Sequence, residues 1–276
     1  MEIREILVLL RPEGPNDAML AAATGIAAET RGFVHGLCIY AVPAPTTAEC
    51  FALGEVAVDA VVDHIQVETE ELVAPLHRIF QERLATAGVD GDWTALDTFS
   101  ANAAIVARAR LVDLVVMPRP EQHETECRHV ADTLLADSGT PCLFVPADFK
   151  YDGIRRIVIA WNGTREATRA IDEAMPLLQK AEAVEVVVVG DVEHMPTPAG
   201  IEALERHLAR HGIVIGTTQA TNSRDTAEII LDCCQIFRAD LLVMGAYGHA
   251  RMAETILGGV SRSILLHAPL PVLMVH

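Results

Sequence analysis

Residues 244–276 read MGAYGHARMAETILGGVSRSILLHAPLPVLMVH, and the order of features in this stretch sets the fold class. It opens on the end of an apolar run, 240–244, with the length and branched residues of a buried strand. Glycines follow at Gly245, Gly248, Gly258 and Gly259, with Ser261 close behind. A helical pattern begins near Val260, and a second apolar run at 271–275 ends the stretch. Strand, glycine loop, helix, strand is the repeating unit of an α/β sheet.

Glycine lets a chain turn sharply and lets backbone approach a ligand closely. Free N–H groups at a helix start make an anion site, to which Ser261 adds a hydroxyl. In open α/β sheets, ligands bind in the crevice at the carboxyl ends of the strands. A bland alternative is a glycine-rich turn with an ordinary helix cap. The position of the second glycine pair, after a strand and directly before a serine and a helix, favours the ligand reading.

Working back from this stretch, strands are expected at 156–161, 184–190 and 213–218. Helices are expected near 165–180, 198–211, 225–238 and 260–267. Valine- and isoleucine-rich strands alternating with helices mean a parallel sheet covered on both faces.

The same plan is written twice. Ile3-Arg4-Glu5-Ile6-Leu7-Val8 is echoed by Ile154-Arg155-Arg156-Ile157-Val158-Ile159. Val112-Asp113-Leu114-Val115-Val116-Met117-Pro118 is echoed by Ala239-Asp240-Leu241-Leu242-Val243-Met244-Gly245. Gly139-Thr140-Pro141-Cys142-Leu143-Phe144-Val145 is echoed by Pro269-Leu270-Pro271-Val272-Leu273-Met274-Val275. The polar segment 146–153, with Pro146 and Gly153 at its ends, is the natural boundary. Two units are expected, 1–148 and 149–276. The first carries extra sequence near 41–75, where Val56, Val58, Val61, Val62, Ile65, Val67 and Leu72 suggest a longer helix.

The chain is 276 residues long, 51 % hydrophobic and 4 % aromatic, so its cores are built from aliphatic residues and alanine. The net charge of −17 opposes nucleic acid and anionic membranes. The charge is uneven. Residues 1–150 hold 10 Lys and Arg against 23 Asp and Glu, while 151–276 hold 11 against 15. Polyphosphate should therefore prefer the second half. No run reaches the ~18 apolar residues that cross a bilayer, and the opening MEIREILVLL reads as a first strand, so a cytoplasmic location is expected. Six cysteines form no C-x-x-C pair and read as buried thiols. His123, Glu124, Glu126, Cys127 and His129 are ligand-type residues, but two further well-placed ligands are not evident, so no metal is expected.

The spacing Gly245-x2-Gly248-x9-Gly258, the following helix and His267-Ala268-Pro269-Leu270-Pro271-Val272-Leu273 resemble the universal stress protein family. The opening Ile157-Val158-Ile159-Ala160-Trp161-Asn162-Gly163-Thr164 looks like that family's first strand and loop. The resemblance covers the second half fully and the first half only through strand patterns. It implies two flavodoxin-like, adenine nucleotide alpha hydrolase-like, five-stranded parallel-sheet domains in tandem. It also implies a stress-response role, and two subtypes, one that binds ATP and one that does not.

Carried over by position, Ala160 and Asn162 would line the adenine side and Val189 the pocket wall. Met244 and Gly245 would close the base and ribose region. Gly248, Gly258, Gly259, Val260 and Ser261 would hold the phosphates. Asn162 stands where the ATP-binding subtype prefers Asp, although its amide both donates and accepts. Gly259 stands where Ser or Thr is usual, so one hydroxyl is missing. The implied ligand is ATP or another adenine nucleotide, with or without magnesium.

The first half departs further. Pro118-Arg119-Pro120-Glu121-Gln122-His123 replaces the glycines, prolines lack N–H donors, and Glu121, Glu124 and Glu126 repel phosphate. Asp17 reads as a helix N-cap there.

Three functions compete: a nucleotide-responsive binding module, a nucleotide-free scaffold, and an enzyme that hydrolyses ATP slowly or transfers adenylyl groups. The third is disfavoured, since no GxxxxGK[ST] or SGG-type loop is present and the second half holds only Lys180. His249 is the better candidate base, and His267 suits a helix end. A homo-oligomer or a pseudo-dimer within one chain is expected, with a protein partner of unspecified kind.

Overall fold

The computed structural model describes residues 2–41, 55–190, 198–221, 225–246 and 259–276. The first half places β1 (Glu5–Leu10), α1 (Asn16–Thr30), β2 (Phe33–Tyr40), α2 (Glu55–Ala87) and β3 (Gly91–Asp97) in sequence. It continues with α3 (Thr98–Ala109), β4 (Leu114–Pro118), α4 (Thr125–Asp137) and β5 (Cys142–Val145). The second half repeats the order with β6 (Arg156–Ala160), α5 (Arg165–Leu178), β7 (Ala183–Gly190), α6 (Pro198–Arg210) and β8 (Ile215–Thr221). It ends with α7 (Thr226–Phe237), β9 (Leu241–Gly245), α8 (Gly259–His267) and β10 (Val272–Val275).

All ten strands join one sheet in the order β3-β2-β1-β4-β5-β10-β9-β6-β7-β8. Each run of five is parallel within itself. The runs meet where β10 pairs antiparallel with β5, setting Val272 opposite Phe144, Leu273 opposite Leu143 and Met274 opposite Cys142. The two last strands thus lie side by side within one chain, as the repeat predicts. Central strands β1, β4, β9, β5 and β10 are almost wholly buried, which is why they read as unbroken aliphatic runs. The outer strands β3 and β8 carry Asp, Thr and Gln, which suits exposed edges.

Side chains alternate between the two faces. One core layer takes Ile6, Val8 and Leu10 with residues of α1, α2, α5 and α6. The other takes Leu7 and Leu9 with residues of α3, α4, α7 and α8. Both layers run through the junction, because Leu143 and Leu273 belong to the first and Phe144 and Met274 to the second.

The repeated motifs perform repeated tasks. Asp113 Oδ2 accepts from the N–H groups of Arg4 (2.7 Å) and Glu5 (2.9 Å). Asp240 Oδ2 does the same for Arg155 (3.0 Å) and Arg156 (2.8 Å). Each aspartate therefore ties the start of one inner strand to the next. Pro141 and Pro271 carbonyls likewise accept from Val115 and Leu242, both at 3.0 Å.

Two expectations need correction. The long helix begins at Glu55 and runs to Ala87, beyond the 41–75 stretch. The side chains of 55–68 lie outside the described ones. Past them Val73, Leu76, Phe80 and Leu84 form the buried face, and Leu72 is 40 % exposed. Asp17 does not cap α1, because the buried Asn16 fastens the turn instead. Its side chain accepts from the Arg11 N–H at 3.2 Å and donates to the Arg11 carbonyl at 2.7 Å. Asp17 follows in the first turn and pairs with Arg83 at 2.9 Å.

The connecting segment is docked rather than free. The Tyr151 ring packs where a side chain on Gly25 of α1 would stand, 2.2 Å from its hypothetical Cβ. Its hydroxyl donates to Glu29 at 2.8 Å, and Lys180 donates to the Glu29 carbonyl at 2.6 Å. Burial and the neighbouring carboxylate push the Tyr151 hydroxyl pKa upward.

Candidate functional site

In the second half, β6, β7 and β9 are hydrogen-bonded neighbours, and their carboxyl ends bring together residues far apart in sequence. Ala160 on β6 stands opposite Met244 on β9 and Val187 on β7. Ala160, Val189 and Val260 are half-buried against the same core layer that holds Met244. Ala160, Val189 and Met244, expected to line the base and the pocket wall, share one apolar face with Val260, which was expected beside the phosphates.

Two helices start at this end of the sheet, α5 after β6 and α8 after β9. Their N-termini carry the positive ends of the helix dipoles. Thr164 caps α5, its hydroxyl accepting from the Ala167 N–H at 3.3 Å. Gly245 lies so close to this turn that a Cβ would stand 2.6 Å from both the Ala167 nitrogen and the Glu166 carbonyl carbon. Glycine is therefore required at 245 by the approach of α5.

Asn162 is exposed and shapes the loop. Its side-chain oxygen accepts from the Thr164 N–H (3.2 Å) and the Thr164 hydroxyl (2.8 Å). Its amide nitrogen has no partner among the described residues. The neighbouring Trp161 indole nitrogen is buried and also unpartnered among them. At the start of α8, a Cβ on Gly259 would meet nothing within 4 Å among the described residues, whereas Ser261 two residues on is buried at 8 % exposure. Gly248, Gly258 and His249 lie outside the described residues.

The apolar wall and the two helix starts lie at one end of the sheet. No lysine joins them. His267 ends α8 with its Nδ1 2.9 Å from the Ser263 carbonyl, the structural position expected of it. Among the described residues no group of three or more His, Cys, Asp and Glu could hold a metal ion.

The sequence reading missed one contact to this machinery. Arg119, in the proline-rich loop after β4, donates through Nη1 to the carbonyl of Leu266 at the end of α8. Gln122 stands 3.2 Å from His267. Arg119 occupies the place of Ala246, since their N–H groups donate to Val145 and Val275, each at 2.8 Å.

The equivalent crevice of the first half is a cavity of about 760 Å³ at the ends of β1, β2 and β4. Arg11 and Glu124, which both line it, form an ion pair at 2.9 Å.

Known proteins agree with this architecture. The universal stress protein family model matches residues 153–276. A Thermus aquaticus relative, the universal stress protein in the QAH/OAS sulfhydrylase 3′ region, is 32 % identical over 136 residues. That match spans 44 % of this chain and 98 % of the relative. A universal stress protein structure from Archaeoglobus fulgidus superposes with a TM-score of 0.71 at 17 % identity, over 98 % of this chain and 97 % of that one. With residues 153–276 matched by the family model and 98 % of a 32 % identical relative covered, the chain belongs to the universal stress protein family.

Proposed function

We propose that the protein is a stress-response regulatory module that binds one adenine nucleotide per chain, in the crevice of its second half. The observation that carries this reading is the apolar wall at the ends of β6, β7 and β9, with a helix following β6 and another following β9 at that same end of the sheet. The wall, Ala160, Val189, Met244 and Val260, suits a planar base. The helix starts and the glycine loop through Gly245, Gly248, Gly258 and Gly259 suit phosphates. The Asn162 amide, with its nitrogen unpaired, suits an edge of adenine. Output is a shift in shape or partner affinity, because binding of one conformation over another is all such a site needs to signal. The two units take the boundaries 1–148 and 149–276.

Mass spectrometry of small molecules released from the native protein tests this directly. Titration should give about one site per chain. Absence of nucleotide, together with no thermal stabilisation by ATP, ADP or AMP, would leave the scaffold reading. Robust magnesium-dependent hydrolysis that is lost in His249→Ala would establish an enzyme. In Gly248→Glu, a carboxylate would face the phosphates, and like charges a few Å apart cost about 1–4 kcal/mol near a surface. Stabilisation by ATP should vanish in that variant while the melting temperature without ligand stays close to the parent.

A further inference from the structure

The 760 Å³ cavity of the first half has the size of a small-molecule site and lies where α/β sheets bind ligands. Its walls are apolar, with Leu9, Ile39, Ile105, Met117 and Val130 among them. Its charges are acidic. Among the described residues Arg11 is the one lysine or arginine lining it and Glu124 already pairs with that guanidinium, while His129 is the one lining histidine. The lining carboxylates Glu13 and Glu126 are both exposed, and neither has a cationic partner among the described residues. Pro118 offers no N–H. Among the described lining residues, an anion entering here would meet two carboxylates without a cationic partner and no lysine or arginine beyond the paired Arg11.

We propose that this cavity is a second ligand site, for a small organic cation with an apolar body, such as an arylalkyl amine. The apolar part lies against Ile39, Ile105 and Met117. The ammonium remains at the mouth between Glu13 and Glu126, where it keeps part of its hydration. The site is independent of nucleotide binding in the second half.

The test uses the full chain and three matched probes, 1-naphthylmethylamine, 1-naphthalenemethanol and 1-naphthoate, followed by calorimetry and ligand-observed NMR. The amine should bind about tenfold more tightly than the alcohol, the sum of two exposed ion pairs of modest strength, and the carboxylate weakest of all. Glu13→Gln/Glu126→Gln should bring amine and alcohol together, as should high salt. Asn102→Trp fills the mouth from an exposed helical position and should abolish binding of all three without unfolding the chain. Saturating ATP should not compete. Equal or tighter binding of the carboxylate overturns the proposal, as does amine binding that survives Asn102→Trp or an absence of binding by every probe. Competition by ATP would also overturn it.

Discussion

At the residue scale, Gly259 and His35 each expose one physical choice. Among the described residues nothing lies within 4 Å of where a Gly259 side chain would begin, so no packing contact with them demands glycine there. Gly259→Ser should therefore fold as the parent does and restore the hydroxyl that the family usually places at this turn. One added hydrogen bond contributes about 0.5–1.5 kcal/mol, a gain of roughly two- to tenfold in affinity for ATP by calorimetry. Unchanged affinity in a folded variant would move the phosphates away from this turn. His35 sits far from that chemistry, on β2 between two carboxylates, Glu5 on β1 at 2.5 Å and Asp92 on β3 at 2.8 Å. Burial alone would depress its pKa, but hydrogen bonds and attraction from Glu5 and Asp92 outweigh that and hold it above 6.5. A raised folded-state pKa means the stabilisation is fully present below the unfolded value near 6.5 and is lost as pH rises through the folded value. Denaturation curves between pH 6 and 8 should show stability falling by less than about 1 kcal/mol, since the pair is partly exposed. His35→Gln should flatten that slope.

At the element scale, α8 is held at both ends by different halves of the chain. Its start belongs to the glycine loop of the second half, and its end receives Arg119 and Gln122 from the loop after β4. A guanidinium donating to a terminal helix carbonyl both satisfies that carbonyl and complements the negative end of the dipole. Arg119→Ala should cost about 1–2 kcal/mol, read as a lower denaturation midpoint, with Arg119→Lys recovering part of it. No change in midpoint would mean that water replaces the contact at no cost. The loop that looks degenerate for nucleotide binding thus has a structural task in its neighbour. That task was hidden in the sequence because Arg119 and Leu266 are 147 positions apart.

At the scale of the molecule, the junction of β5 and β10 makes one sheet from two copies. Cys142, Leu143, Phe144, Leu273 and Met274 at this junction are each at most 1 % exposed. Arg169 reinforces it by donating to the carbonyls of His276 and of Gly139 in the other half. Separating the halves would expose an unpaired strand edge and the apolar residues flanking it. Residues 149–276 expressed alone should therefore dimerise through β10, replacing β5 with a second copy of the same strand. Light scattering coupled to size-exclusion chromatography would show twice the mass of the fragment. A stable, soluble monomer would mean that the edge protects itself. The dimer should be lost when Leu273 is changed to Lys, which places a charge in the paired strand.

Much of this was legible in the chain itself. Strands such as 156–160 and 241–245, and helices such as 165–178 and 259–267, fall within one or two residues of where period and punctuation set them. Local hydrophobic pattern, caps and glycines act over a few residues and so are written locally. The duplication was legible too, because Asp113 and Asp240 repeat a task that each copy requires. Other features were decided only when the chain closed on itself. Asn16 rather than Asp17 fastens the first turn, because hydrogen bonds to Arg11 depend on how the loop folds back. Gly245 is needed for the approach of α5, not for a turn of its own. Arg119 serves the other half, and the first-half crevice sets carboxylates around an apolar wall. These depend on distances between residues remote in sequence, which no local pattern encodes and which packing of the two copies into one sheet sets.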